Sequence, residues 1–115
     1  MSSDCLFCRI VAGDVPSTAV YDHELVYGFR DVAPIAPTHV LVVPKRHIVG
    51  ADEIAGDDGE VLVAMFVAAR AIAESEGIAA AGYRTVFNVG RQAGQTVMHL
   101  HLHVVGGRNL AWPPG

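Results

Sequence analysis

Residues 98–105 read Met-His-Leu-His-Leu-His-Val-Val, and this stretch determines most of what the sequence predicts. Side chains along a β-strand alternate between its two faces, so His99, His101 and His103 are predicted to share one face. The leucines and valine between them then occupy the other face, where they can pack against a helix. Three imidazoles in a row therefore require a chemical explanation.

Four interpretations of these histidines are open. They can be solvent-facing residues on an exposed sheet, or a pH-sensing cluster, because imidazole titrates near neutrality. A single metal held by all three is geometrically poor, since the outer two lie about 13 Å apart on a straight strand. Zinc requires every nitrogen within about 2.1 Å, so at most two of the three can share one ion. In the catalytic interpretation, the central His101 attacks an electrophile while its neighbours orient it and handle protons or charge.

The electrophile that suits this arrangement is phosphorus. An imidazole nitrogen can attack phosphorus and form a phosphoramidate that water later breaks, whereas no G-x-S-x-G motif favours acyl transfer. The preceding loop, Gly90–Thr96, has the sequence GRQAGQT, and its glycines allow backbone N–H groups to approach an oxyanion. It lacks the Gly-Lys-Ser/Thr of a Walker loop, so metal-bound triphosphate chemistry is not implied. By itself, the sequence of this loop is equally consistent with a plain hairpin connection that binds no ligand.

The rest of the chain predicts an α+β domain. A short helix over residues 5–12 ends at Gly13, and a long helix begins within residues 57–60, runs to about Glu76 and stops at Gly77. The first half of the long helix is apolar on nearly every face, which favours a dimer interface over a helix enclosed within a monomer. The predicted strands are Thr18–Tyr21, Leu25–Arg30, Thr38–Val43, Tyr83–Val89 and Val97–Val105. His23 falls in the turn between the first two and is expected to be solvated.

Length and composition exclude several classes of protein. The 115 residues are 51% hydrophobic and 17% charged, which fits one folded domain over residues 1–115 and not a disordered chain. A net charge of −4 without a basic run argues against nucleic-acid binding. The longest apolar run, residues 61–69, is about half of the ~18 residues that a membrane span requires. The first ten residues, MSSDCLFCRI, show no signal pattern, so we expect a soluble cytoplasmic protein with no membrane partner.

The two cysteines form one motif, Cys5-Leu-Phe-Cys8. Two thiols cannot build a disulfide framework, and a reduced compartment is expected. A redox motif would normally follow a strand in a βαβ unit, whereas this pair lies near the start of the chain. The pair is therefore either two buried structural thiols or half of a metal site that needs two further ligands.

The histidine motif and several other segments resemble those of a known protein family. His99–Val105 is similar to the histidine triad signature of the HIT superfamily, in which three histidines alternate with hydrophobic residues. The segments Asp31–His39, Val43–His47 and Gly94–His99, with the ending Trp-Pro-Pro-Gly, resemble the HINT branch in particular, and the likeness covers essentially the whole chain. It implies a homodimer whose two five-stranded antiparallel sheets join into one of ten strands. It also implies hydrolysis at the α-phosphorus of purine nucleotides, with AMP or GMP phosphoramidates favoured and aminoacyl adenylates also cleaved.

The resemblance implies catalytic roles for four histidines. His101 would be the nucleophile that becomes nucleotidylated, and His103 would hydrogen-bond the phosphate. His39 would fix the orientation and tautomer of the central ring. His99 would support that network.

The resemblance implies a nucleotide site as well. Asp31 would accept hydrogen bonds from the ribose hydroxyls, and Trp112 would reach toward the partner subunit's site. Besides the triad histidines, the phosphate site would be lined by Asn88, Gly94, Gln95 and Thr96. The apolar slot for the base would be formed by Leu6, Ile10, Phe29 and Val32.

A zinc site follows from the same resemblance. Many bacterial-type members of the superfamily carry the C-x-x-C and bind zinc, which implies Cys5, Cys8, His47 and His99 as the ligands of a structural tetrahedron. Vertebrate HINT-like chains lack the cysteines, so the feature is separable from catalysis. Such a zinc would clip the N-terminal segment onto the sheet and affect the nucleophile only indirectly.

Two positions depart from the HINT pattern. Thr96 stands where Ser is common; it keeps the hydroxyl but is stiffer at χ1, so the rate or selectivity could differ. Ala111 stands where His is common, so a contact of that ring is absent. Two other functions use the same residues: a nucleotide-binding or scaffolding module with vestigial hydrolysis, and dinucleoside polyphosphate hydrolysis, against which the Trp-Pro-Pro-Gly ending weighs.

Overall fold

The computed structural model describes residues 4–115, and its elements follow the local sequence signals. The predictions of a short helix and a long helix are confirmed, although the latter starts after a short 3₁₀ turn. The helices and strands are α1 (Leu6–Ala12), β1 (Ala19–Asp22), β2 (Val26–Arg30), β3 (Thr38–Pro44), α2 (Gly59–Ser75), β4 (Tyr83–Val86) and β5 (Leu102–Gly106). The expectations that concern the first three residues, including the missing signal pattern, lie outside the described part.

The strands form a single antiparallel sheet in the order β1-β2-β3-β5-β4. This confirms the predicted α+β class with a five-stranded antiparallel sheet. β3 lies in the centre, and every one of its residues is buried. Within residues 4–115, no helix combines the length and the hydropathy needed to cross a membrane.

The two helices cover opposite faces of the sheet. α2 packs on one face and closes the main core, whose largest fully buried members include Met65, Ile72 and Leu102. α1 lies on the other face, over a smaller apolar cluster made of Phe7, Ile10, Phe29, Leu41 and Val43. Because alternate residues of β3 and β5 point to opposite faces, the same strands supply the main core and the site described below.

The predicted strand over residues 97–105 is wrong in its first half, because β5 begins only at Leu102. The preceding residues bend, since Leu100 N–H donates to the carbonyl of Ile48 at 2.6 Å instead of joining the β5 ladder. Leu100 and Leu102 still enter the main core as expected. His99 still lies on the α1 side with His101, since Phe7 stands edge-on to both rings, but the His99 ring turns toward Cys5 and Cys8. β4 is also shorter than predicted and ends at Val86.

α2 is packed on one side and open on the other. Its buried side faces the sheet, whereas Val63, Phe66 and Val67 are 63%, 47% and 55% exposed in the single chain. Adjacent exposed apolar side chains of this size are typical of an interaction surface. The predicted dimer is consistent with this side of the helix and stays a prediction.

A pair of glycines gives a stability test of the fold. Gly107 follows β5 with φ +94°, and a Cβ there would lie 2.9 Å from Pro37. We expect Gly107→Ala to lower the free energy of unfolding by about 2 kcal/mol, because the left-handed backbone and the contact both oppose a side chain.

Gly59 is the matched control, since it has φ −58° and a Cβ there would meet nothing within 4 Å. Gly59→Ala should leave stability unchanged or raise it by about 0.4–1 kcal/mol. Urea unfolding measures both; equal midpoints for the two variants would contradict the described backbone.

Candidate active site

His101 is buried just before β5, and its surroundings fix its tautomer. Nδ1 lies 2.7 Å from the main-chain oxygen of His99, so Nδ1 carries the proton and donates it. A neutral imidazole has one protonated and one unprotonated nitrogen, which leaves the lone pair on Nε2. The Phe7 ring stands edge-on to the imidazole, with centroids 5.1 Å apart, and restricts its plane. His101 therefore has the unprotonated nitrogen that nucleophilic attack requires.

A chain of hydrogen bonds fixes the tautomer of His103 in the same way. The main-chain N–H of Ile35 donates to Nδ1 of His39 at 3.2 Å, so the proton of that ring is on Nε2. His39 Nε2 lies 2.9 Å from Nδ1 of His103 and donates to it. His103 must then carry its own proton on Nε2, where it can donate to a ligand. Its ring centroid lies 5.1 Å from that of His101, which places this donor beside the nucleophile.

Burial keeps this relay neutral. The pKa of His103 is lowered to about 4, mainly by burial and also by repulsion from His101 and His39, against the opposing attraction of Asp31. Burial also lowers the pKa of His39, again opposed by Asp31. Asp31 accepts a hydrogen bond from Ala33 N–H at 2.9 Å and lies 3.4 Å from His39 Nε2. At pH 7 both imidazoles therefore act as neutral donors and acceptors.

This burial predicts an acid-sensitive stability. The pKa of His103 is near 6.5 in the unfolded chain and about 4 when folded, so the unfolded chain binds more protons between those values. The free energy of unfolding should fall as the pH drops from about 6.5 to about 4, by at most about 3 kcal/mol from this group. His103→Gln should remove that part of the slope. Urea unfolding of both proteins across this range measures the difference, and parallel curves would contradict it.

The contacts of His39 do not match the role that the resemblance implies for it, which is to orient His101. Its ring touches His103 and Asp31, whereas the tautomer of His101 is set by the carbonyl of His99. That carbonyl lies just before β5, within hydrogen-bond distance of His101 Nδ1. His39 therefore positions His103, and only through it the central ring.

The side chain of His99 joins a separate cluster with Cys5, Cys8 and His47, whose ligand atoms all lie within 4.8 Å of one another. His99 Nδ1 is 3.3 Å from Cys5 Sγ and 3.5 Å from Cys8 Sγ. His47 Nδ1 is 3.3 Å from Cys8 Sγ and 3.2 Å from His99 Nδ1. Cys5 caps α1, and Cys8 N–H donates to its sulfur, so one helix end positions both thiols.

These residues fit zinc by their chemistry and spacing. With zinc–sulfur bonds of about 2.3 Å and zinc–nitrogen bonds of about 2.0–2.1 Å, ligand atoms of a tetrahedron lie about 3.3–3.8 Å apart. The distances above are close to these values. His99 Nε2 lies 2.8 Å from the carbonyl of Pro44, so it donates there and leaves Nδ1 as the ligand atom. Such an outer hydrogen bond is typical of metal-bound histidine.

Asp31, His39 and His103 form a second group with metal-ligand spacing. Its hydrogen bonds argue against a metal there. Because Ile35 N–H donates to Nδ1 of His39, Nε2 keeps its proton and cannot also be a neutral metal ligand. This group is better explained as the donor relay described above.

The predicted base-slot residues divide into two sets. Ile10 of α1 and Phe29 of β2 are buried in the cluster between α1 and the sheet, whereas Leu6 is 44% exposed and Val32 is fully exposed. The first pair can form the floor of a slot, and the second pair can form its rim. Trp112 is 82% exposed on the C-terminal segment. The contact of these residues with a nucleotide stays a prediction.

The glycine-rich loop shows which of its residues shape it. Gln95 is buried, and its side-chain oxygen accepts from Gly90 N–H while its nitrogen donates to the carbonyls of Val49 and Val97. The Gln95 amide is therefore engaged in holding the loop and is not available to line a phosphate site as predicted. Gly94 has φ +88°.

The other predicted phosphate residues flank the loop. Asn88 donates to the carbonyl of Ala93 at 2.8 Å, and Thr96 is exposed at the loop's end. Asn88 lines a cavity together with His39 and His103, whereas Thr96 lines a separate one together with Cys5 and His47.

Several groups that contribute to the candidate site were not predicted from the sequence. The main-chain groups of Ile35, Pro44 and His99 carry no signal in residue identity. Phe7 packs against His101, and its i, i+3 relation to Ile10 on α1 could have identified it as a residue of this face.

Comparison with known proteins agrees with this geometry. The HIT domain family matches residues 12–110. An uncharacterized HIT-like protein of Synechococcus elongatus is 47% identical over 100% of both chains. The purine nucleoside phosphoramidase of Escherichia coli is 41% identical over 110 residues, which are 96% of this chain and 92% of that protein. A crystal structure of a HIT family hydrolase from Legionella pneumophila superimposes with a TM-score of 0.96 at 46% identity, covering 97% of this chain and 100% of that one.

The chain therefore belongs to the HIT family. The recognition based on residues 99–105 and the predicted fold are confirmed by these matches.

Proposed function

We propose that this HIT-family protein is a hydrolase that cleaves purine nucleoside phosphoramidates at the α-phosphorus through a nucleotidyl-His101 intermediate. The observation that carries the proposal is the pairing of an unprotonated Nε2 on His101 with a neutral N–H donor on His103. The substrate class is supported by the relative from Escherichia coli whose name is purine nucleoside phosphoramidase.

In the first step, His101 Nε2 bonds to the α-phosphorus and the phosphorus–nitrogen bond to the amine breaks. His103, which His39 holds in place through Nδ1, donates a hydrogen bond from Nε2 to a phosphate oxygen, and the departing amine takes its proton from solvent water. In the second step, water attacks phosphorus and releases its proton to solvent, and the bond between phosphorus and His101 Nε2 breaks to free the monophosphate. Both histidines keep the tautomers with which they started.

The remaining predicted residues bind the substrate in this proposal. The base lies between the floor residues Ile10 and Phe29 and the rim residues Leu6 and Val32. Asp31 accepts from the ribose hydroxyls. The phosphate lies near Asn88, Gly94 and Thr96. The protein acts as a single cytoplasmic HIT domain and as a homodimer, in which Trp112 of each chain extends toward the other site.

Zinc bound by Cys5, Cys8, His47 and His99 would supply structural cross-linking and no step of the reaction. It would hold α1, and with it the base slot, against the sheet. It would also hold His99, whose carbonyl fixes the tautomer of His101.

A substrate panel tests the proposal. Steady-state hydrolysis should be fastest for adenosine 5′-phosphoramidate, with an adenylate ester of a carboxylic acid slower and diadenosine tetraphosphate slowest. Undetectable hydrolysis of all three with micromolar binding of AMP would replace the proposal by a nucleotide-binding module. Faster cleavage of the dinucleotide would replace it by a polyphosphate hydrolase.

A further inference from the structure

A cavity of about 500 Å³ lies beside His39 and His103, next to the edge strand β4. We name it the tail cavity, because the C-terminal segment forms one wall through Leu110 and Pro113. His39 and His103 line it at one end, and Arg84 and Arg108 line it at the other. Among the described residues that line it, there is no aspartate or glutamate.

Strand register places Arg84 on the catalytic face. Arg84 pairs with Val105, and Val86 pairs with His103, in the antiparallel ladder of β4 and β5. Paired residues share a face, so Arg84 and His103 are diagonal neighbours on the same surface, with Cα atoms about 7–8 Å apart. An arginine side chain spans that distance, so a group bound beside His103 lies within its reach.

The two guanidinium groups are held in place by neutral partners. Arg84 Nη2 donates to the carbonyl of Ala111 at 2.9 Å. Arg108 donates through Nε and Nη2 to the carbonyl of Ile35 at 3.1 and 3.0 Å, and through Nη1 to the carbonyl of Asn109 at 3.0 Å. Within residues 4–115, neither arginine forms an ion pair. Carbonyl partners orient a guanidinium without neutralising it, so this end of the cavity keeps its positive charge.

The position of the tail cavity suggests which part of a substrate it takes. A phosphoramidate has two substituents on phosphorus: the nucleoside and the amine. Phe29 of the predicted base slot is on β2, whereas Arg84 is on β4, so the two lie on opposite sides of His103 on β5, and the apolar Phe29 side suits the base. The amine then lies toward the tail cavity, whose walls combine apolar side chains with two cations.

We infer that the tail cavity is the leaving-group subsite, and that Arg84 and Arg108 select amines that carry a carboxylate. This inference rests on the proposed function, because it concerns the leaving group of that reaction. Arginine suits the task, since its planar fork matches a carboxylate in two-point contact. The substrate class is accordingly the nucleoside phosphoramidate of an amino acid whose carboxylate is free.

Matched substrates test this inference. Adenosine 5′-phosphoramidates of glycine and of glycinamide differ only in the charge of the amine portion. At low salt, wild-type protein should show kcat/KM about tenfold higher for the glycine compound. The preference should shrink as salt is added, because the site is partly exposed. A ratio near one at low salt would overturn the inference.

Charge variants assign the preference to these residues. Arg84→Gln with Arg108→Gln should bring the glycine-to-glycinamide ratio close to one, whereas Arg70→Gln, an exposed arginine on α2, should keep the wild-type ratio. Arg84→Lys keeps the charge but not the fork, and should give an intermediate ratio. A wild-type ratio in the double variant would show that other residues recognise the carboxylate.

A binding experiment separates this inference from the proposed function. The His101→Ala protein can be titrated with both compounds by calorimetry, since binding does not require turnover. Tighter binding of the glycine compound supports the subsite even if the wild-type protein hydrolyses neither. Equal affinities would overturn the subsite and leave the hydrolysis of adenosine 5′-phosphoramidate unaffected.

Discussion

Replacing His101 by alanine is expected to lower kcat/KM for adenosine 5′-phosphoramidate by about 10⁴-fold or more, because the covalent route loses its nucleophile. The affinity for AMP should change little, since the hydrogen bond from Nδ1 to the carbonyl of His99 orients the ring and does not bind nucleotide. Steady-state kinetics and calorimetry measure the two quantities separately.

The control for this variant is His23→Ala. His23 is exposed in the turn between β1 and β2, and it donates nothing to the candidate site. Its replacement should leave kcat/KM within about twofold of wild type. His101→Gly offers a second check, because added imidazole can occupy the vacated space and restore part of the rate. A His101→Ala protein with the wild-type rate would exclude the proposed mechanism.

Zinc removal is expected to give the largest change in stability. Protein prepared without chelator should contain one zinc per chain, bound by Cys5, Cys8, His47 and His99. A strong chelator should lower the free energy of unfolding by about 3 kcal/mol or more, equivalent to a fall in Tm of about 10 °C or more. The reason is that this cluster joins α1 to the segment before β5, two parts separated by more than ninety residues in sequence.

The Cys5→Ser, Cys8→Ser variant is the matched control for chelation. It should start with the lower Tm and show no further change when chelator is added. Its affinity for AMP should also fall, because α1 carries the base slot. Metal content near zero in the wild-type protein, or a Tm that chelator does not move, would contradict the zinc assignment.

The sequence predicted the elements well because their signals are local. Gly13 ends α1 in the left-handed conformation that favours glycine, with φ +84°. The alternation of residues 38–44 and 102–106 defines strands whose two faces serve different purposes. These features depend on neighbours along the chain, so they can be recognised without knowledge of the tertiary structure.

Features that depend on distant partners could not be predicted in this way. The alternation of residues 97–101 resembles a strand, but hydrogen bonds from Leu100 to Ile48 and from His99 to Pro44 take precedence. His99 consequently faces the cysteines and not the other triad rings. Gln95 likewise has the composition of a ligand-binding residue, and only its buried contacts show that it holds the loop.

The most direct test of the account is the intact mass of the protein quenched in acid-free denaturant within the first turnover of adenosine 5′-phosphoramidate. The account predicts a species heavier by one adenylyl group, which peptide mapping places on His101 and which is absent from His101→Ala. Turnover without any such species, or an adduct on a different residue, would contradict it.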